Sequence, residues 1–289
     1  MWVMRKVLYG FIVMLLCALG AQGGIKIASL HPLLSDMARQ IGGDAVEVVD
    51  LFPENGELHA FEPTVADVAA AAGAQLVLAC GKGIEPYLED LRDSLPARTQ
   101  IIELGRTVPD VYLPGLYITD PHWWNSPIAM KRASRALRTS LEQLAPEQKA
   151  TFVKGQRAYS NLMDTLTREA RLAFSNIPQK NRVLVCSHAA MMHFCEAFDF
   201  SAIPVHGVAQ ESEGDTATLA LLLARLRSRA TPCLFYGVNE SPKVLQTIAR
   251  QVGASTRPLV LDGIYPEAPT YAAMFRFNIR NITEGLSAR

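Results

Sequence analysis

The chain has 289 residues, 49% of them hydrophobic and 19% charged, and its 28 basic residues are matched by 28 acidic ones. That length and apolar content suit one large domain or two ordinary lobes and exclude a disordered chain. The even charge excludes both the basic footprint of a nucleic-acid binder and an acidic tail.

Residues 1–23 read as a secretory signal. Arg5 and Lys6 form a short positive region, residues 7–19 are apolar apart from Tyr9 and Gly10, and Ala21-Gln22-Gly23 places cleavage near Gly24. The run is too short and one-sided for a retained membrane anchor. Cys17 raises the alternative of a lipoprotein. Against it, Leu16 is bulky where such a signal carries a small residue, and the apolar run continues past Cys17. The reading favours a soluble export product in the periplasm.

Strands at 25–29, 45–52, 75–80 and 100–104 alternate with helices at 31–41, 64–72 and 84–95. This alternation predicts a parallel sheet covered by helices, which binds ligands beyond the strand ends. The middle has no strand. Ser126-Pro127 starts a helix as N-cap and first residue, running to 144. Ala145-Pro146 interrupts it, and a second helix over 146–174 would reach about 43 Å, enough to join two lobes. Strands then return at 182–187, 201–208, 233–238 and 257–261, with helices at 189–198, 216–227, 242–252 and 270–284. The expected fold is α/β: two parallel-sheet βα lobes, 24–125 and 178–289, joined by linking helices over 126–177.

The most constrained stretch is Asp120-Pro121-His122-Trp123-Trp124-Asn125-Ser126-Pro127. Two prolines stiffen the loop-to-helix junction, and Asp120 stands where it can orient the His122 ring. His59 precedes a helix, His188 follows the strand ending Val185-Cys186-Ser187, and Asp262 ends the last strand at Leu259-Val260-Leu261. Three imidazoles and one carboxylate, two from each lobe, make a coherent shell for Zn²⁺. By position alone each histidine is equally a packed or exposed structural residue.

The motifs carry a family resemblance over nearly the whole mature chain. Ile41-Gly42-Gly43-Asp44, His59-Ala60-Phe61-Glu62-Pro63, Gly81-Lys82-Gly83-Ile84-Glu85, Asp120-Pro121-His122-Trp123-Trp124, Ser187-His188-Ala189-Ala190 and Leu261-Asp262, with Tyr271, Met274 and Asn278 downstream, stand in the right order. Together they resemble the periplasmic zinc/manganese solute receptors of ABC importers. The resemblance implies a metal site of His59, His122, His188 and Asp262 in the cleft between lobes, and Zn²⁺ or Mn²⁺ as the ion. It also implies a monomer that partners an importer permease, and no enzyme activity. Imidazole at 188 favours zinc, because manganese prefers carboxylate oxygen. The alternatives are a manganese receptor, a zinc hydrolase and a surface adhesin on the same fold. His122→Ala is expected to remove most of the metal-linked stability and leave the metal-free fold nearly unchanged.

The chain departs from the family pattern in four ways. Met191 and Met192 replace an aromatic after His188, Asp262-Gly263 replaces Asp-Pro, no histidine-rich loop lies between the first two ligands, and Cys233 has no partner near the C-terminus. His31 follows the first strand and is a candidate fifth ligand. His193 and His206 read as structural, Glu62 as a loop support, and Trp123, Trp124 and Tyr271 as core or as a dry wall around the ion. Cys80, Cys186 and Cys233 read as buried thiols. Cys186 and Cys195 form a candidate disulfide, strand to following helix.

Overall fold

The computed structural model describes residues 24–53, 56–113, 117–205, 216–266 and 268–287. The expected signal segment and His206 lie outside the described residues.

Strands β1 (Ile25–Ser29), β2 (Val46–Asp50), β3 (Leu76–Ala79) and β4 (Gln100–Glu103) form one sheet in the order β2-β1-β3-β4. Strands β5 (Val183–Cys186), β6 (Ser201–Pro204), β7 (Cys233–Gly237) and β8 (Ser255–Leu259) form a second in the order β6-β5-β7-β8. Every pairing is parallel, so the chain must cross over between paired strands. In the first lobe the helices are α1 (Pro32–Gly42), α2 (Val65–Ala72) and α3 (Leu88–Ser94). The linking pair is α4 (Pro127–Leu144) and α5 (Lys149–Phe174). The second lobe has α6 (Met192–Phe198), α7 (Thr216–Ser228) and α8 (Lys243–Val252), and α9 (Tyr271–Leu286) closes the chain.

Successive strand side chains face opposite sides of a sheet, and the core divides accordingly. Leu76 and Leu78 of β3 face a central core, while Val77 and Ala79 face an outer cluster with Leu88 and Leu91. In the second lobe Cys233 and Phe235 face the same central core, and Leu234 faces outward with Leu245 and Ile248. One apolar core therefore runs from the first sheet through α4 and α5 to the second.

Helix α5 carries the connection. Phe152, Gln156, Tyr159, Met163, Leu166, Ala170 and Phe174 are buried at three- and four-residue spacing, one stripe of an amphipathic helix. Its 26 residues reach about 39 Å. At one end it touches α1 through Gly155, where a Cβ would come within 2.2 Å of the Ile41 carbonyl oxygen. Toward the other end, Arg276 of α9 forks onto Glu169 at 2.8 and 2.9 Å. Pro146–Gln148 forms a separate 3-10 turn, so the helix is shorter than the sequence predicts.

Helix α3 starts four residues later than predicted, and α6 three residues later. The residues withheld from α3 include Glu85, which accepts from the backbone N–H groups of Cys80 (2.6 Å) and Gly81 (2.9 Å). Lys82 sits between Gly81 and Gly83, and all three have positive φ. A helix through Ile84 would pull Glu85 out of this cap. The residues withheld from α6 are used by the site. Strand β8 is shifted two residues early, which leaves Val260 to Asp262 to turn into the cleft.

Candidate metal centre

His122 is held from its own segment. Asp120 Oδ1 accepts from the His122 backbone N–H at 2.9 Å and from ring Nδ1 at 2.7 Å. A ring that donates through Nδ1 presents the lone pair of Nε2, and that atom lies 3.0 Å from His59 Nε2. The two tryptophans fix the loop. Trp123 Nε1 donates to the Cys80 carbonyl at 3.1 Å, and Trp124 Nε1 donates to that of Leu261 at 2.8 Å. Gly105 makes room for the first bond, since a Cβ there would lie 2.6 Å from Trp123 Nε1. The Ser126 side chain then caps α4 by accepting from Ala129.

His188 follows β5 and is fully buried. Its Nδ1 lies 2.8 Å from Glu240 Oε1, so its Nε2 also faces the centre, 3.6 Å from Asp262 Oδ2. Asp262 Oδ1 is 3.6 Å from His122 Nε2. Asn278 of α9 clamps the chain just before Asp262, accepting from Val260 N at 2.8 Å and donating to its carbonyl at 2.7 Å.

His59 sits in a 3-10 turn, Leu58–Ala60, beyond β2. It is half-buried, whereas His122, His188 and Asp262 are buried. Thr64 starts the next helix with a capping box to Asp67, which limits the loop's slack. Glu62 is exposed.

The four side chains expected from the sequence converge: one ligand atom from each lies within 4.8 Å of all the others. A tetrahedral shell with bonds of about 2.0–2.2 Å has ligand-to-ligand edges of about 3.3–3.6 Å; His59 Nε2 and His122 Nε2 stand 3.0 Å apart, and Asp262 turns Oδ1 to His122 and Oδ2 to His188, each at 3.6 Å. His188 Nε2 and Asp262 Oδ1 are buried with no hydrogen-bond partner among the described residues. Buried polar atoms left unmatched are costly, and a divalent cation at the shared centre would satisfy both.

Charge in the site is set by competition between burial and pairing. Burial, aided by neighbouring His122, pulls His59 down to about 4. Burial also pulls on His188, but Asp262 and Glu240 outweigh it and raise that ring to about 10. For Asp262 burial acts upward, yet His188, His122 and His59 outweigh it and hold the carboxylate well below its usual range. Asp120 and Glu240 are lowered for the same reason, burial being overcome by His122 and His188 respectively. The site therefore holds three buried carboxylates, not the single one counted from the ligand set.

His31 has a different role from the fifth ligand considered above. It is the N-cap of α1, and its Nδ1 accepts from Leu33 N at 3.1 Å. A neutral ring that accepts at Nδ1 carries its proton on Nε2, so Nε2 is a donor and not a metal ligand. Burial drives its pKa down to about 3, which keeps it neutral. Its ring packs on Trp124 at 4.5 Å, forming part of the wall. The pairing of Cys186 with Cys195 does not form; both are buried free thiols, as are Cys80 and Cys233. His193 is structural, with Nε2 3.1 Å from the Asp120 carbonyl.

Sequence reasoning missed three contributors. Glu240 is one. Asn125 is another, donating across the lobes to Ala190 O at 2.9 Å and Leu261 O at 3.2 Å. The third is the second arm of Asp120, whose Oδ2 accepts from Met192 N at 2.8 Å. These bonds hold residues 188–192 open and explain the late start of α6. The expectation that His122→Ala spares the metal-free fold does not survive this geometry, because His122 is fully buried and bound to a buried carboxylate.

Two parallel-sheet lobes, a long linking helix and donors converging from both sets of strand ends define a substrate-binding protein of the metal ABC-transporter class. The chain belongs to the ZnuA family, whose model, zinc-uptake complex component A periplasmic, matches residues 27–285. This is a family of solute-binding receptors and not of enzymes. Among relatives, the metal ABC transporter substrate-binding lipoprotein FimA of Streptococcus parasanguinis is 25% identical, over 93% of this chain and 91% of its own length. The manganese ABC transporter substrate-binding lipoprotein PsaA of Streptococcus pneumoniae is 24% identical, over 91% and 89%. The periplasmic zinc-binding protein TroA of Treponema pallidum has the same fold, with a TM-score of 0.84 at 23% identity, covering 92% of this chain and 100% of that one.

Proposed function

We propose that the chain is a high-affinity extracytoplasmic zinc receptor that captures the ion between its lobes through His59, His122, His188 and Asp262. It then delivers the ion, as a monomer, to the permease of an ABC importer. The observation that carries this reading is the convergence of three imidazole nitrogens and one carboxylate, one donor atom of each within 4.8 Å of the others. Neutral nitrogen donors suit zinc, which also outranks manganese in the usual affinity order. Relatives named for different metals leave that choice to the donor set.

A zinc hydrolase would need an open coordination position and a nearby general base. Four protein donors would complete a tetrahedron, and Glu62, three residues after His59, is exposed. Among the described residues no helix is long and apolar enough to cross a membrane. Cleavage near Gly24 would release a soluble protein, whereas a diacylglycerol on Cys17, detected by mass spectrometry, would make it a lipoprotein.

Competition titration of Zn²⁺ and Mn²⁺ on the metal-free protein tests the metal. Zinc is expected to bind more tightly, and His188→Glu is expected to narrow the gap by favouring manganese. Tighter manganese binding by the wild type, or a zinc preference that grows in the variant, would overturn the assignment.

A further inference from the structure

The two most buried imidazoles of the site each need a carboxylate on Nδ1 to turn Nε2 toward the centre. His122 has one two residues upstream. His188 has none near it in sequence: between Asp164 and Glu196 the only acidic residue is Glu169, and neither Glu169 nor Glu196 lies within seven residues of it. Its carboxylate comes from the neighbouring strand.

Strand β5 pairs with β7 through Cys186 and Phe235, and Ser187 N donates to Phe235 O at 3.1 Å. Two residues on from that pair, Gly237 is level with His188. A side chain at 237 has no room: its Cβ would lie 2.8 Å from Glu240 Cδ and 2.9 Å from Glu240 Oε1. The space is filled by Glu240, brought back by a turn in which Glu240 N donates to Gly237 O at 2.9 Å. The returned carboxylate then does two things at once. Oε2 accepts from Gly237 N at 3.0 Å, and Oε1 lies 2.8 Å from His188 Nδ1.

We infer that Glu240 is the positioning residue for His188, and that Gly237 is glycine in order to leave the notch its carboxylate occupies. The inference rests on His188 being a metal ligand. Glu240 does not touch the ion. It acts by fixing the His188 tautomer and ring plane and by adding negative charge behind the ring, which makes Nε2 a stronger donor. A carboxylate can accept from both N–H groups through separate oxygens. An amide at the same place has one oxygen, and sets an NH₂ against the other donor. Glu240→Gln is therefore a change of hydrogen bonding at nearly constant shape, and Gly237→Ala is a change of shape that leaves every charge in place.

The test compares His188→Ala, Glu240→Gln, Gly237→Ala and the double variant Glu240→Gln/His188→Ala in the full mature chain. Zinc affinity is read by competition with a chromogenic chelator, the hydrogen bonding of His188 Nδ1–H by ¹⁵N NMR of the zinc-loaded protein, and metal-free folding by thermal melting. Glu240→Gln and Gly237→Ala are each expected to weaken zinc binding by ~10- to 100-fold. Glu240→Gln should also move the His188 Nδ1–H resonance of the zinc-loaded protein away from its carboxylate-bonded position, and it should add no further loss on the His188→Ala background. Should Gly237→Ala fail to fold, Glu240→Asp, which is one methylene too short for the span, replaces it with the same expectation. Loss of affinity in His188→Ala together with wild-type affinity and Nδ1–H resonance in Glu240→Gln would overturn this inference and leave the metal site standing. Wild-type affinity in His188→Ala would overturn the site itself.

Discussion

Each lobe supplies two of the four proposed donors, but they secure them differently. In the second lobe both donors are buried and clamped: His188 by Glu240 at 2.8 Å, and the chain leading to Asp262 by Asn278 at 2.7 and 2.8 Å. In the first lobe only His122 is treated this way. His59 is half-buried, on a short turn, and its only hydrogen-bond partner among the described residues is His122. A receptor must bind an ion tightly and still let it in and out. A site with three pre-set donors and one looser one reconciles these needs, since pre-set donors lose little freedom on binding.

The sharpest way to break this comparison is to delete one donor of each kind. At free zinc about 1,000-fold above Kd, metal should add about 4 kcal/mol of stability, and both His59→Ala and His122→Ala should lose most of it. They should differ without metal. His122→Ala opens a buried cavity and costs the metal-free fold about 2–4 kcal/mol, whereas His59→Ala stays within about 0.5 kcal/mol. Equal metal-free stabilities from denaturant titration would show that the two rings are not held differently.

A second measurement concerns the first-lobe wall. His31 is buried neutral, with its pKa lowered by burial to about 3. The unfolded chain therefore takes up this proton first as pH falls, so stability is lost from about pH 6.5 downward. Between pH 7 and 4.5 the loss is about 3 kcal/mol. His31→Asn keeps an acceptor for Leu33 N and should remove that part of the acid sensitivity. An unchanged pH profile would contradict the buried, neutral assignment.

The smallest effect separates the lobes by protons. Without metal, His59 is neutral above about pH 4, while His188 keeps its proton to about pH 10 because Asp262 and Glu240 outweigh burial. A ligand must be deprotonated to bind. Zinc affinity should therefore rise by about tenfold per pH unit above pH 7, with one proton released per ion. Calorimetry in buffers of different ionisation enthalpy measures that release. No release at pH 7.5, or the same release from His188→Ala, would assign the proton elsewhere.

What was legible in the sequence was what local pattern determines. The alternation of apolar strand runs with helical stretches pointed to both sheets, and Ser126-Pro127 marked the start of α4 to the residue. The four converging side chains were legible because each stands at a strand or loop end within a recognisable motif. Glu240, Asn125 and the second arm of Asp120 were not, since their partners lie 52 to 136 residues away or are backbone groups with no signature. The same bonds explain the misplaced start of α6, where residues predicted as helix are held by the other lobe. The cap role of His31 was not legible for a simpler reason: position beside the cleft says nothing about which ring nitrogen the helix cap has already taken.

X-ray absorption at the zinc edge, on full mature protein loaded with one equivalent of zinc, tests the central claim most directly. The account predicts four-coordinate zinc with three imidazole nitrogens and one oxygen at about 2.0–2.1 Å, losing one imidazole in His188→Ala. A six-coordinate oxygen-rich shell, a sulfur ligand, or a spectrum unchanged in His188→Ala would contradict it.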